Sequence, residues 1–219
     1  MTARYAILFA AILIAEPVAN ANAAEDGPAE RPKADATAKL LDTGRRHVGL
    51  FIRPDLGFGF LRASGSPGGV DSSIGGAAAT FGVAVGGAMS ENSIIAFHLW
   101  DMVVTNPTYS AGGETFENVD ATLTIIGIGP QYTAYTSDNL YFSITPSLTR
   151  GTISSQGSSS DSDWGFGLRA AVGKEWWVAD HWGLGIAGHL SLTMNKEPGQ
   201  GGATWTGWGA SIAFSATYN

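Results

Sequence analysis

From residue 47 to the end of the chain, apolar side chains recur at every second position, and this alternation is the feature that most constrains the fold. A period of two is typical of a β-strand whose faces meet different surroundings, whereas an amphipathic helix repeats about every 3.6 residues. In the first segment the apolar face carries Val48, Leu50, Ile52, Leu56, Phe58 and Phe60. The opposite face carries His47, Gly49, Arg53, Asp55, Gly57 and Gly59. The sequence therefore predicts an all-β chain from this point onward.

The same pattern returns in seven further segments. They lie at about 77–85, 95–99, 119–135, 140–148, 164–172, 182–194 and 208–218. In the fourth segment the apolar face changes sides between Ile125 and Ile126. Because one extra residue in a strand reverses the alternation, this change predicts a β-bulge near Ile125.

The connections between these segments alternate between short and long. The short ones centre on 90–92, 137–139 and 179–181, and the long ones run over about 62–73, 106–118, 151–162 and 195–203. Outer-membrane barrels are built in this way, with tight periplasmic turns and longer external loops. We therefore predict an eight-stranded antiparallel up-and-down transmembrane β-barrel with both termini in the periplasm.

Side-chain size indicates which face meets lipid. The apolar face is bulky, whereas the other face is rich in Gly, Ala, Ser and Thr, and only 14% of the chain is charged. Eight strands leave an interior just wide enough for side chains, so the bulky face is predicted to point outward. Outward charges are expected only near strand ends, at Arg62, Arg150 and Lys174. Aromatic residues predicted at the membrane interfaces are Tyr135, Trp176, Trp177, Trp182, Tyr218, Phe60, Trp164 and Trp205.

The first 44 residues differ from the rest in composition. Arg4, an apolar run over 5–15 and a small-x-small site at 21–23 predict a signal peptide over 1–23. Residues 24–44 are rich in Ala, Pro and charged side chains, which predicts a flexible periplasmic segment. The barrel is then expected over 45–219.

The barrel region resembles the small outer-membrane barrels typified by the OmpA membrane domain and OmpX. The resemblance rests on strand count, loop alternation and the final strand, Trp208 to Tyr218, which looks like the C-terminal signal read by the barrel-assembly machinery. In that family the last residue is commonly Phe, whereas Asn219 ends this chain. The resemblance implies residence in the outer membrane, with its lipid and lipopolysaccharide and the assembly machinery as partners.

Seven ionisable residues are predicted to face the barrel lumen. They are Arg53, Asp55, His98, Asp120, Arg169, Glu175 and His189. Charges inside a barrel must be paired or hydrated, so the set predicts an internal salt-bridge and hydrogen-bond network. The alternative is a narrow water-filled pathway. The glycines of the lumenal face leave a void, let the barrel flatten, or accommodate Phe51, Trp100, Met102 and Tyr141 from the opposite wall.

One short motif has a catalytic alternative. His189-Leu190-Ser191 resembles the His-x-Ser of outer-membrane lipid A deacylases, with Glu197 in the next loop as the candidate acid. Two residues apart in a strand share a face, which would set a base beside a nucleophile. The predicted face is the lumen, however, and Leu192 stands where that family has Asn.

Composition excludes several other classes. The net charge of −7 opposes nucleic-acid binding, and the absence of Cys excludes disulfides and thiolate metal sites. No cofactor or metal is predicted. The leading function is a non-enzymatic integral outer-membrane protein, structural or acting through its external loops on a ligand that the sequence does not identify. A passive pore and a lipid-modifying hydrolase are the alternatives.

Overall fold

The computed structural model describes residues 47–199 and 202–219. The predicted signal peptide at 1–23 and the segment 24–44 lie outside the described residues. The described chain is all-β apart from one short 3-10 helix, Pro67–Gly69. Its strands are β1 (Leu50–Gly65), β2 (Ser72–Ser90), β3 (Ser93–Thr105), β4 (Thr108–Ala111), β5 (Glu114–Phe116), β6 (Thr122–Tyr135), β7 (Leu140–Ser155), β8 (Ser158–Asp161), β9 (Gly165–Trp177), β10 (Trp182–Lys196) and β11 (Thr204–Tyr218).

Eight of these strands form a closed antiparallel barrel. Neighbours around it are β1, β11, β10, β9, β7, β6, β3 and β2, and β2 pairs again with β1. Closure leaves no unpaired edge, since the first and last strands are joined from Ile52 opposite Tyr218 to Ser64 opposite Thr206. The predicted eight-stranded barrel is confirmed.

The two ends of the barrel differ. At one end, the turn end, tight connections join β2 to β3, β6 to β7 and β9 to β10. In one of these turns Asn139 adopts φ 57°, a left-handed conformation that Asn tolerates. The other end, the loop end, carries the four long connections. Two contain further strands: β4 pairs with β2 and β5, and β8 pairs with β7.

The outer surface is a broad apolar belt. Phe166 is 74% exposed and Phe58 is 65% exposed, and similar side chains surround the barrel. Others in the belt include Leu56, Phe97, Phe142, Val172, Leu190, Ile212 and Phe214. A water-facing protein rarely exposes so large a continuous apolar surface, so the belt is of the kind that lipid covers. Among the described residues, no helix is long and apolar enough to cross a membrane.

The belt contains one charge that the sequence analysis missed. Asp101 lies on the outward face of β3 between inward-facing Trp100 and Met102, several residues from the strand end. Its Oδ1 accepts a hydrogen bond from the Phe81 backbone N–H at 3.0 Å. The expectation that outward charges occur only near strand ends is therefore wrong at this position.

The predicted bulge near Ile125 is also wrong. The pairing of β3 with β6 is continuous from Ser93 opposite Ala134 to Thr105 opposite Thr122. Leu123 and Ile125 point inward and are buried, whereas Ile126 faces outward. Both faces of β6 are apolar at this height, so the sequence pattern looked like that of a strand whose register changes. The irregularity lies instead in β2, between Ala88 and Ser90.

Three of the predicted interface aromatics do not face lipid. Tyr135 is buried inside the barrel, and Trp205 packs against an apolar cluster in the lumen. Trp177 packs against His47, with 5.3 Å between the ring centroids. The predicted Phe60, Trp164, Trp176 and Trp182 are exposed on the outer surface.

Candidate functional site: the barrel lumen and its mouth

The lumen is filled by three layers of side chains. The turn-end cluster is apolar and contains Phe51, Ala84, Ile94, Ala96, Tyr135, Tyr141, Ala171 and Ala187. The loop-end cluster contains Leu61, Ala63, Ile74, Ala78, Trp100, Met102, Val104, Leu123 and Ile125. Between them a polar layer contains Arg53, Asp55, Thr80, His98, Gln131, Thr145, Arg169, His189 and Ser191, and Glu175 lies closer to the turn end on β9; all are buried.

Strand register produces this layering. Along the inward face of β3, Ala96 belongs to the turn-end cluster, His98 to the polar layer and Trp100 to the loop-end cluster. Inward residues of a strand advance two positions at a time, so each strand contributes to successive layers. The period-two pattern therefore determines the height of each lumenal side chain as well as its face.

Arg53 is the centre of one half of the polar layer. Its Nη1 lies 3.6 Å from Glu175 Oε1, and its Nη2 donates to Gln131 Oε1 at 3.0 Å. The guanidinium carbon lies 4.5 Å from the centroid of the Tyr141 ring. Glu175 Oε1 also accepts hydrogen bonds from Thr217 Oγ1 at 2.7 Å and Tyr135 Oη at 3.2 Å. The charge of Arg53 is thus neutralised by a carboxylate that is itself hydrogen-bonded.

Arg169 is the centre of the other half. Its Nη2 donates to His189 Nδ1 at 2.7 Å and to Thr80 Oγ1 at 3.2 Å, and its guanidinium carbon lies 5.0 Å from the Trp100 ring centroid. Guanidinium groups have no acceptor, so Nδ1 of His189 must accept. The imidazole is therefore held as the tautomer that carries its proton on Nε2.

Gln131 connects Arg53 with His98 and Thr145. Its Oε1 accepts from Arg53, and its Nε2 lies 3.0 Å from His98 Nδ1 and donates to Thr145 Oγ1 at 3.1 Å. On the other side of the ring, His98 Nε2 lies 3.8 Å from Asp55 Oδ2. Of the residues selected from the sequence, Arg53, Asp55, His98, Arg169 and His189 lie in one layer, Glu175 is buried nearer the turn end, and Asp120 is exposed at the loop end. Sequence reasoning missed Gln131 because it considered only ionisable groups, although the alternation along β6 places Gln131 on the inward face.

Lumenal glycines provide space for large side chains from neighbouring strands. A Cβ on Gly127 would lie 2.7 Å from Trp100 Nε1, and one on Gly209 would lie 2.7 Å from Met102 Sδ. A Cβ on Gly173 would come within 2.5 Å of Tyr141 Cζ. Of the three alternatives for the glycine runs, the structure supports accommodation of large side chains at these positions.

Among the described contacts, His189 and Ser191 each hydrogen-bond to Arg169 and not to each other. Nδ1 of His189 accepts from Arg169, and Ser191 Oγ lies 3.4 Å from Nη1 of the same arginine. Both residues are buried in the lumen, away from the lipid-facing belt. Glu197, the candidate acid, accepts a hydrogen bond from Trp205 Nε1 at 2.9 Å at the loop end. In the described contacts, His189 and Ser191 thus serve as hydrogen-bond partners of Arg169.

A cavity of about 130 Å³ opens above the loop-end cluster. We refer to this cavity as the vestibule. Its apolar wall comprises Ala63, Ile74, Leu123, Ile125, Ile153 and Trp205, and its polar rim includes Ser162, Thr193, Asn195 and Glu197. Sequence reasoning missed it because the residues come from six strands and two loops that are far apart in the chain.

Comparison with known proteins defines the fold. No protein-family model matches the sequence, and no curated protein is similar to it in sequence. Among solved structures, Neisserial surface protein A (NspA) matches with a TM-score of 0.51 and 15% identity, over 78% of this chain and 96% of that chain. This chain has the fold of the small outer-membrane β-barrels.

Two further small barrels match less closely. The outer membrane protein OprG from Pseudomonas aeruginosa gives a TM-score of 0.49 at 12% identity, over 81% of this chain and 100% of OprG. Ail, the attachment invasion locus protein of Yersinia pestis, gives 0.35 at 10% identity, over 74% of this chain and 97% of Ail.

Within 47–199 and 202–219 there is no group of three or more His, Asp or Glu side chains that could hold a metal ion. The acidic residues at the loop end are spread over different loops, with Asp161 paired to Arg150 at 3.0 Å.

Proposed function

We propose that this chain is a non-enzymatic integral outer-membrane protein that acts through its loop end and does not conduct ions through its barrel. The observation that carries the proposal is the combination of an apolar outer belt with a lumen in which, among the described residues, buried side chains form packed layers below the vestibule. The belt matches lipid, and an eight-stranded interior filled by side chains leaves no continuous water column.

The polar layer supports the non-conducting part of the proposal. Arg53 and Arg169 are each less than 5% exposed and each is held by several partners. An ion would have to displace these contacts and then pass Trp100 or Tyr141 in the apolar clusters. The polar residues are therefore assigned to stabilising the fold.

The loops support an external role. In the proposed orientation, both termini and the tight turns face the periplasm. The long connections with β4, β5 and β8 face the outside of the cell. These strands keep part of the loops ordered by backbone hydrogen bonds, for example where Ser73 pairs with Ser110. An ordered external surface is suited to contact with lipopolysaccharide or with a molecule outside the cell.

The first test is folding into lipid. The chain from residue 45 to 219 is refolded into phospholipid vesicles, and its gel mobility is compared before and after boiling alongside its circular dichroism. We expect a heat-modifiable band and a β-rich spectrum. A β-rich protein that stays in solution without detergent would overturn the proposal.

Conductance and orientation are tested next. Planar bilayers containing the refolded protein should show no steady unitary currents, and stable channels would favour the passive pore instead. An epitope inserted at Gly157 should bind antibody on intact Gram-negative cells, whereas one inserted at Asp138 should bind only after the outer membrane is opened. The reverse labelling would contradict the proposed orientation.

A further inference from the structure

We infer that the vestibule binds one small cationic amphiphile, an apolar group about the size of a benzene ring that carries an ammonium head. The inference rests on the proposed closed barrel with its loop end accessible, and it assigns a ligand class to that end. The ring would contact the apolar wall and the ammonium would face Glu197.

The size of the cavity limits the ligand. A dry protein cavity of about 150 Å³ with Leu, Ile and Phe walls binds benzene. The vestibule has about 130 Å³ and a wall that includes Ile74, Leu123 and Ile125. One ring or a short branched alkyl group fits this volume, whereas a full acyl chain of a membrane lipid does not.

The rim offers few free polar groups to a neutral polar ligand. Asn195 Nδ2 donates to the Thr149 backbone carbonyl at 2.8 Å, and its Oδ1 accepts from Thr149 Oγ1 at 3.2 Å. Ser162 Oγ lies 2.8 Å from the Asp163 carbonyl and 2.9 Å from the Gly151 backbone N–H. Since these side chains already have partners, affinity must come from apolar contact and charge.

Glu197 and Trp205 favour a cation. The Trp205 Nε1–H donates to Glu197 Oε1 at 2.9 Å, which holds a carboxylate beside an indole ring at the rim. An ammonium gains both from an opposite charge and from the face of an indole ring. A carboxylate ligand in the same place would be repelled.

The surrounding charges act in the same direction. Seven carboxylates lie at the loop end: Asp71, Glu114, Glu117, Asp120, Asp161, Asp163 and Glu197. Three cations lie there: Arg62, Arg150 and Lys196. The resulting negative potential raises the local concentration of cations and lowers that of anions.

The layer below limits the vestibule to binding. Trp100 and Met102 of the loop-end cluster are each 1% exposed, and the polar layer lies beneath them. A ligand that enters from the loop end therefore leaves by the same route. The site is a receptor for a small molecule and not a passage through the membrane.

The test compares three probes of similar shape: benzylammonium, benzyl alcohol and benzoate. The refolded protein in neutral detergent is labelled with ¹⁵N at tryptophan, and the Trp205 indole resonance is assigned with a Trp205→Phe variant. We expect saturable shifts at Trp205, with benzylammonium binding about tenfold more tightly than benzyl alcohol and benzoate more weakly than either. Glu197→Gln should remove the preference for benzylammonium over benzyl alcohol.

A matched pair of variants locates the binding. Ala63 lines the vestibule and Ala210 faces outward on β11, so Ala63→Phe should abolish the shifts and Ala210→Phe should preserve them. Equal affinity for benzylammonium and benzoate, or unchanged binding in Ala63→Phe, would overturn the inference. Heat-modifiable mobility is recorded for every sample, so a failure of the barrel to fold is distinguished from a failure to bind.

Discussion

Trp100 on β3 packs against Gly127 on β6 inside the barrel, where a Cβ on the glycine would lie 2.7 Å from the indole Nε1. The same nitrogen donates to Ser147 Oγ at 3.0 Å on the next strand, so the ring cannot move away without losing that hydrogen bond. Trp100 is 1% exposed and also faces Arg169. Because Gly127 has no Cβ, the Trp100 ring can occupy this position. There it packs in the loop-end cluster and also faces Arg169 of the polar layer.

Gly127→Ala is expected to destabilise the barrel by about 1–3 kcal/mol, because overpacking a filled interior forces neighbouring side chains from their positions. Gly188→Ala is the matched control, since a Cβ on this outward glycine of β10 has no neighbour within 4 Å. The measurement is the free energy of unfolding in lipid vesicles by urea titration. Equal effects of the two substitutions would show that Trp100 is not constrained by Gly127.

Glu175→Gln is expected to cost about 3–5 kcal/mol in the free energy of unfolding, because it leaves Arg53 buried without its carboxylate. Asp161→Asn is the control within the same protein. The partner of Asp161 is Arg150, and both side chains are at least 40% exposed. Exposed pairs contribute about 0–1 kcal/mol. Comparable losses for the two variants in urea titrations would contradict the structural role given to Glu175.

The fold was predictable because every strand that crosses lipid must alternate apolar side chains on the outer face with small or polar side chains on the inner face. In β10 the alternation from Trp182 to Met194 shows which face is outward, and the turn at 179–181 shows where the strand begins. The prediction was wrong at Ile125 because apolar residues occupy both faces of β6 there. Hydrophobicity alone does not show whether an apolar side chain faces a cluster in the lumen or the lipid outside.

The site was only partly predictable. Arg53 and Arg169 were found because a charge on the inward face needs a partner, but the partners depend on the height of each strand in the barrel. Gln131 lies 78 positions from Arg53 and comes beside it only through the stagger of the strands. The vestibule is a similar case, because Trp205 and Glu197 line the same cavity as Ile74. The alternation of apolar residues along the chain does not reveal that these three residues lie together.

Asp101→Asn is expected to stabilise the barrel in lipid by about 1 kcal/mol, because it removes a charge from the lipid-facing surface. The Asn side chain can keep its oxygen on the Phe81 backbone N–H, so the local hydrogen bond is retained. Asp138→Asn in the turn between β6 and β7 serves as the control for loss of a charge outside the belt. A loss of stability in Asp101→Asn, measured by urea titration, would show that the carboxylate itself is required.

His47 precedes β1 at the turn end, and its pH response can be predicted from its surroundings. Its ring stacks on Tyr135 with 3.8 Å between centroids, and burial lowers the pKa of His47 while the nearby Asn219 side chain opposes that shift. A neutral imidazole therefore favours the docked form. Because the undocked histidine binds a proton near pH 6.5, docking is fully favourable above that pH and weakens as pH falls toward the lowered pKa.

The corresponding measurement is an NMR titration of the His47 ring protons and the Trp177 indole resonance in the refolded barrel. We expect His47 to titrate below pH 6.5 and the Trp177 resonance to move with it. His47→Phe keeps an aromatic ring against Tyr135 and should remove the pH dependence at Trp177 while leaving the contact intact. A His47 pKa at or above 6.5 would show that the ring does not pack as described, since an imidazole held against Tyr135 and Trp177 has to lose its hydration before it can carry a charge.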